Sequence, residues 1–591
     1  MSTNSYIHSV KRLGLLLLIV SFWGCANIPK FSHQPPSNLS NTSESNAITN
    51  NIPLNQRNPR FLYLAAQAAL QNGQSSLAIQ FLTAFLEHSE TSQADTLNPR
   101  IQLAELWLAN HQASKSLEIL QPLIRAYPIA KHNTDEQKAL HTLYARVLAS
   151  TQKPNDALDY LTRFLSQHPD YLLARHLQIS LFIQTQQLEL AEIAVNTAIQ
   201  RHDAAMLRQY QADIFARQNR FEKALQSLKK MQAFDVDDEM PALLQSDLEL
   251  KRGRTLEAEL VLRSFIRTHP AALRVQNALG RLLIQTNRHD EAIIIYTQLT
   301  QALPNNAEVF SALGMLYYQQ QQFKDAEKQF KRAAKLDPLN TQHRFYHAAS
   351  LEALKQTELA QSLYKTIEDN SPLWQEAQLR LASIDFTQEH FSAADTHIRN
   401  VLKKSPNSAH AWVLLSTSLL AQKKYRQILD ETKPATALKD IPSRLQFNRA
   451  IAYQHFKQYD DVERTLQPLV SNDVNDVESL NFLAYTYAEQ AIKLDIAENY
   501  ILRALESKPD DGYYLDTLAW VYFKQGKYPQ AKQAQGKALK HIKDDPIMTE
   551  HYGDILWKLG EAENAIQAWQ KALELKAENA SVLRQKIKHG L

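Results

Sequence analysis

Pro270, Pro304, Pro338, Pro372 and Pro406 stand 34 residues apart, and twelve residues before each is an alanine: Ala258, Ala292, Ala326, Ala360 and Ala394. With 22 prolines in 591 residues, four successive coincidences have odds on the order of one in a million. A chain with such a period does not fold around a single core. Each period is one small unit that buries its apolar face against its neighbours, so the array grows in one dimension. The text between the prolines is helical, with apolar residues three and four apart. Glycine, which weakens helices, occurs only 12 times.

Residues 307–340 show how one unit works. Phe310, Leu313 and Tyr317 give a first helix its core face, and Gly314 is small where a second helix must cross closely. Gln319 to Gln322 is a polar break, and Phe323-Lys324-Asp325-Ala326 opens the second helix. Ala326 is the small partner of Gly314, Phe330 fills the space between the helices, and Ala333 lets the next unit approach. Pro338 has no backbone N–H and stops the helix. The positions Phe310, Leu313-Gly314, Tyr317, Ala326, Phe330, Ala333 and Pro338 resemble the W-LG-Y-A-F-A-P pattern of tetratricopeptide repeats. The resemblance implies an all-α, right-handed superhelical solenoid of helix-turn-helix units.

The frame extends both ways to about fifteen units, eleven of them with a clear pattern. Residues 409–442 keep Trp412 and Leu415 but lack the small residue of the second helix, so this unit is expected to be weak. Residues 477–511 carry one extra residue before Ala497. A looser stretch, Ile129 to Asp135, separates the second and third units.

The start of the chain is of another kind. Residues 1–24 read as a secretory signal, with Lys11 and Arg12 ahead of the apolar run Leu13 to Val20. That run falls well short of the roughly 20 apolar residues that span a bilayer. Cys25, the only cysteine, follows it after Ser21-Phe22-Trp23-Gly24 and resembles the acylated cysteine of a bacterial lipoprotein lipobox. The plainer alternative is an ordinary signal that contains a cysteine. In the lipoprotein class this residue is diacylated and becomes the mature N-terminus. Ala26 stands where an aspartate would suggest inner-membrane retention, which points to the periplasmic face of the outer membrane. Residues 26–58, rich in Asn, Ser, Thr, Pro and Gln, are expected to be a disordered tether. The expected organisation is a signal over 1–24, a lipid-anchored tether over 25–58, a solenoid over 59–579 and a capping helix over 580–591.

Several function classes find no support. The net charge of +3 offers no concentrated basic face for nucleic acid. Neither a Gly-rich phosphate loop, nor G-x-S-x-G, nor H-E-x-x-H occurs. His343 and His347 are four apart, but no Cys or carboxylate cluster accompanies them, so no metal is expected. No cofactor and no small-molecule substrate is implied. The repeats leave no room for a catalytic domain, and the expected role is non-catalytic protein binding.

In tetratricopeptide solenoids, positions 2, 5, 9 and 12 of each first helix face the concave groove. In the last three units these are Glu478, Asn481, Tyr485 and Ala488; Tyr513, Asp516, Trp520 and Phe523; and Ile547, Glu550, Asp554 and Trp557. Exposed aromatics are common interface anchors, so Tyr485, Tyr513, Asp516, Trp520, Phe523, Asp554 and Trp557 are the candidate partner-binding residues. The competing reading places Trp520 and Trp557 between adjacent helices. No Lys/Asn clamp for a C-terminal carboxylate appears at these positions.

The segments Asp516-Thr517-Leu518-Ala519-Trp520-Val521-Tyr522, Gly526-Lys527-Tyr528 and His551-Tyr552-Gly553-Asp554-Ile555-Leu556-Trp557 resemble the proteobacterial outer-membrane tetratricopeptide lipoproteins. That resemblance implies an adaptor that holds a periplasmic carboxy-terminal processing protease and recruits its cell-wall hydrolase substrates. Ala484 and Ala519 stand where that family usually has glycine. The alternative expectation is a scaffold lipoprotein of an outer-membrane or exopolysaccharide assembly complex.

Overall fold

The computed structural model describes residues 58–88, 96–151, 153–472, 476–577 and 579–591. The signal, Cys25 and nearly all of the expected tether therefore lie outside the described residues. The described residues contain 31 α-helices, one short 3-10 helix and no strand. They form fifteen helix pairs from Pro59 to Glu574, followed by a last helix, Ala580–His589. The chain divides into two compact units, one ending at Pro304 and the other running from Asn305 to Leu591.

The unit 307–340 shows why the sequence takes this form. Asn306 caps the first helix, Ala307–Gln319, by accepting from the backbone N–H of Glu308 at 3.1 Å and Val309 at 3.3 Å. Val309, Leu313 and Leu316 are buried, whereas Phe310 and Tyr317 are only half-buried. The buried set is broader than the expected face because this helix packs on Phe323–Leu336 and also on the next first helix, Thr341–Ala353. Gly314 lies closest to the ring of Phe330: a Cβ there would be 3.1 Å from it. Gly280 stands in the same relation to Tyr296, and Gly553 to Trp569. Phe330, Tyr364 and Trp569 are fully buried.

Four of the five periodic prolines follow their helix by two residues, after helices ending at Thr268, Ala302, Leu336 and Lys404. Pro372 does not. Its helix, Thr357–Tyr364, stops early, where Thr366 and Ile367 donate to carbonyls only three residues back. That tight turn brings Ile367 into the core at 4% exposure. The unit expected to be weak does have a short second helix, Tyr425–Glu431, continued by the 3-10 turn Lys433–Ala437. Pro434 cannot supply the N–H that a longer helix would need.

The turn inside each pair has a second 34-residue rhythm. Gly253, Asn287, Gln321, Lys355, Glu389, Lys423 and Lys457 all adopt left-handed backbone conformations, with φ between 57° and 74°. In unit 307–340 the N–H of Gln322 donates to the Tyr317 carbonyl at 2.9 Å and that of Gln321 to Tyr318 at 3.0 Å, the Schellman pattern. Outside glycine this conformation costs roughly 1–2 kcal/mol per residue. The extra residue of unit 477–511 sits in this turn, where both Ala491 and Lys493 are left-handed.

Candidate functional site

The last three pairs bring the seven candidate residues together, but in two different settings. Asp516, Asp554 and Trp520 are 1%, 4% and 7% exposed and lie within the protein. Tyr485, Tyr513, Phe523 and Trp557 are half-buried and offer surface. The expectation that all seven line an open groove is corrected for the first three. Their side chains are polar or large at positions packed by neighbouring helices, so each finds its partner on another helix beneath the surface.

Asp516 and Trp520 lie on the helix Gly512–Lys524, which starts at Asp511 accepting from the backbone N–H of Tyr513 and Tyr514. The Asp516 carboxylate accepts from His551 Nδ1 at 2.9 Å and from the Gln535 amide at 2.7 Å. Gln535 also donates to the Met548 carbonyl at 2.9 Å, so a second helix joins the two first helices. Burial alone would push the Asp516 carboxyl up, but the His551 imidazolium and the Gln535 amide hold it below its ordinary value. Burial likewise opposes charge on His551, yet Asp516 outweighs it and raises the ring's pKa. Sequence inspection passed over His551. The signal was its place in the His551-to-Trp557 motif, 35 residues after Asp516.

Trp520 is stacked against the His551 ring at 4.1 Å and the Phe523 ring at 4.8 Å, both nearly parallel, and Lys524 Nζ lies 4.7 Å from its ring. Its Nε1–H donates to Glu489 at 2.6 Å, which ties helix Val477–Gln490 to Gly512–Lys524. Of the two open readings, packing between helices is the one that holds for Trp520. Tyr485 lies near the same carboxylates. Burial, then Glu489, Asp516 and Glu550, push its phenol well above the ordinary value.

The last pair is closed by the final helix. Lys586 reaches Glu550 and Asp554, each at 2.7 Å. Asn579 donates to both Glu550 oxygens at 3.0 and 2.8 Å, and Trp569 Nε1–H donates to Asp554 at 2.8 Å. Burial pushes the Asp554 carboxyl up, and Lys586 and Trp569 pull against that without reversing it. Trp557 stands 5.6 Å from Trp569, and Gly590 packs on its ring in a positive-φ conformation that leaves no room for a Cβ. Groove positions 5, 9 and 12 of the last unit are thus partly covered by the chain's own C-terminal helix.

His343 and His347 turn to different carboxylates, Glu308 at 3.7 Å and Glu327 at 3.1 Å, and do not converge on a common point. Among the described residues no group of three or more His, Cys, Asp or Glu is placed to hold a metal ion. No helix of the described residues is long and apolar enough to cross a membrane.

Family models of the tetratricopeptide repeat match residues 307–340, 243–307 and 517–580. The chain carries tetratricopeptide repeats and has their all-α solenoid fold. It is 26% identical over 184 residues to a TPR repeat-containing protein of Pseudomonas aeruginosa, a match spanning 30% of each chain. It is 24% identical over 289 residues to the TPR repeat-containing protein YpiA of Bacillus subtilis, covering 48% of this chain and 67% of that one. The chain thus spans less than a third of the Pseudomonas relative it matches. Among solved structures, the APC/C hetero-tetramer Cut9-Hcn1 aligns over 91% of this chain with 15% identity and a TM-score of 0.35. Repeats of this kind make a protein–protein interaction scaffold.

Proposed function

We propose that this protein is a non-catalytic adaptor, anchored by lipid on Cys25 at the periplasmic face of the outer membrane. Its solenoid holds a carboxy-terminal processing protease and brings cell-wall hydrolases to it. The observation that carries the binding role is the series of fifteen helix pairs that the described residues form between Pro59 and Glu574. The adaptor role draws on the motifs of residues 516–557 and on the signal of residues 1–24 that precedes Cys25. Tyr485, Tyr513, Phe523 and Trp557 are the contact residues, because they combine aromatic area with accessible edges. Asp516, Trp520 and Asp554 act from below by fixing the spacing of the first helices.

Affinity capture from detergent-solubilised membranes tests this directly. The expected result is co-purification of a processing protease and a murein hydrolase. Recovery of a β-barrel outer-membrane protein without any protease would overturn the adaptor role in favour of an assembly complex. Cys25→Ser should move the protein from the membrane to the soluble fraction. Continued membrane association with no acyl mass on the mature N-terminus would remove the lipid anchor.

A further inference from the structure

A second site lies far along the chain from the C-terminal repeats, within the unit that ends at Pro304. A cavity of about 620 Å³ opens between two second helices, Pro154–Gln167 and Leu188–Arg201, with the first helix Leu172–Gln184 as its floor. Leu158, Phe182 and Ala194 make the apolar interior, and Leu190 and Ile193 stand on the rim, 46% and 63% exposed. Arg175 is the only cationic residue lining it, and Asp159, exposed and not paired with Arg175, is the only anionic one.

Arg175 is placed but not neutralised. Its Nη1 donates to Gln178 Oε1 at 2.8 Å, and Gln178 is itself fixed by donating to Thr162 at 3.1 Å. Its Nε is buried without a hydrogen-bond partner, and among the described residues no carboxylate comes within ion-pair distance. The nearby Asp170 is already held by Arg201 at 2.7 Å. Burial and the Arg201 charge draw the Arg175 pKa down, against the weaker pull of Asp170. A half-buried guanidinium without its counter-charge lacks the bidentate carboxylate that its geometry favours. A related cavity of about 740 Å³ between Phe221–Gln232 and Thr255–Thr268 differs on this point. There Glu222 already meets Arg252 at 3.0 Å and His269 meets Asp237 at 3.1 Å.

We infer that the cavity around Arg175 is a docking site for an acidic peptide segment. The segment sets one aspartate or glutamate on Arg175 and lays neighbouring aliphatic side chains against Leu158, Leu190 and Ile193. This site is separate from the C-terminal groove and does not depend on the adaptor role.

A random dodecamer phage library selected on the full-length protein provides the probe. The expected winners carry an acid beside Leu, Ile or Val. Fluorescence anisotropy with the best peptide should show about ten-fold or weaker binding to Arg175→Gln and Ile193→Glu, and the peptide's own acid-to-amide variant should lose as much. Phe523→Ala should bind as wild type does. Melting curves check that both variants fold. Should either fail, the acid-to-amide peptide on wild-type protein decides alone. No enrichment, winners without an acid, or binding that survives Arg175→Gln would overturn the site. Binding lost in Phe523→Ala instead would do the same by placing the peptide in the C-terminal groove.

Discussion

Repeats 307–404 and 477–574 use the same helix pairs but hold them together differently. In the first stretch the joint is chiefly one of shape, with a charged contact where Arg380 meets Glu352 at 3.7 Å and Tyr364 donates to Glu352 at 2.7 Å. Gly314 admits the Phe330 ring, and fully buried Ala326, Ala333, Ala348 and Ala360 let helices approach. In the second the joint is also electrostatic. Asp516, His551 and Gln535 link one junction, and Glu550, Asp554, Lys586, Asn579 and Trp569 link the next. Shape joints tolerate small changes by shifting, whereas buried ionic joints fail when one member is removed.

The largest expected effect breaks that contrast at its most ionic point. Lys586→Met leaves two buried carboxylates facing each other and should cost about 3–5 kcal/mol, confined to the last pair and its capping helix. Hydrogen exchange should show residues 546–589 opening while 307–404 keep their protection. Equal protection throughout would mean that the ionic joint contributes nothing. A matched pair of glycine substitutions sharpens the comparison. A Cβ at Gly553 would lie 2.5 Å from the Trp569 indole, so Gly553→Ala should cost about 1–3 kcal/mol. Gly314→Ala meets Phe330 at 3.1 Å and recovers helix propensity, so its change should stay below about 1 kcal/mol. Urea unfolding of the two variants gives the order.

The third prediction concerns pH. His551 titrates above its ordinary 6.5 and Asp516 below its ordinary 3.8. The His551 contribution is whole below pH 6.5 and is lost as pH rises through the raised pKa. The Asp516 contribution is whole above pH 3.8 and is lost as acid protonates the carboxylate. Protection of residues 512–558 should therefore be greatest between these values and decline in mild base, and His551→Gln should flatten the alkaline limb. The smallest effect belongs to the turns. Gln321→Gly, at φ 60°, should raise stability by about 0.5–1 kcal/mol, read from the melting temperature.

Much of this architecture could be read from the residues. Alanine, glycine and proline at fixed spacing report contacts within one helix pair, and such contacts depend only on local distance along the chain. The left-handed turns were silent because Asn287, Gln321, Lys355, Glu389 and Lys423 share a backbone conformation and no side-chain type. The buried ionic joints were silent for another reason. Asp516, at position 5 of its first helix, meets His551 at position 6 of the next, and a position-by-position reading assigns the aspartate to the groove. The same positions carry aromatics on the surface and acids beneath it, which sequence alone cannot separate.

The most direct measurement reconstitutes purified wild-type protein, and the double variant Tyr513→Ala/Phe523→Ala, with a periplasmic carboxy-terminal processing protease and a murein hydrolase. The wild-type protein should speed hydrolase degradation without cleaving anything alone. The double variant should stay folded and lose most of that stimulation. Unchanged stimulation by the double variant, or none from the wild type, would contradict the assignment of partner binding to the C-terminal aromatics.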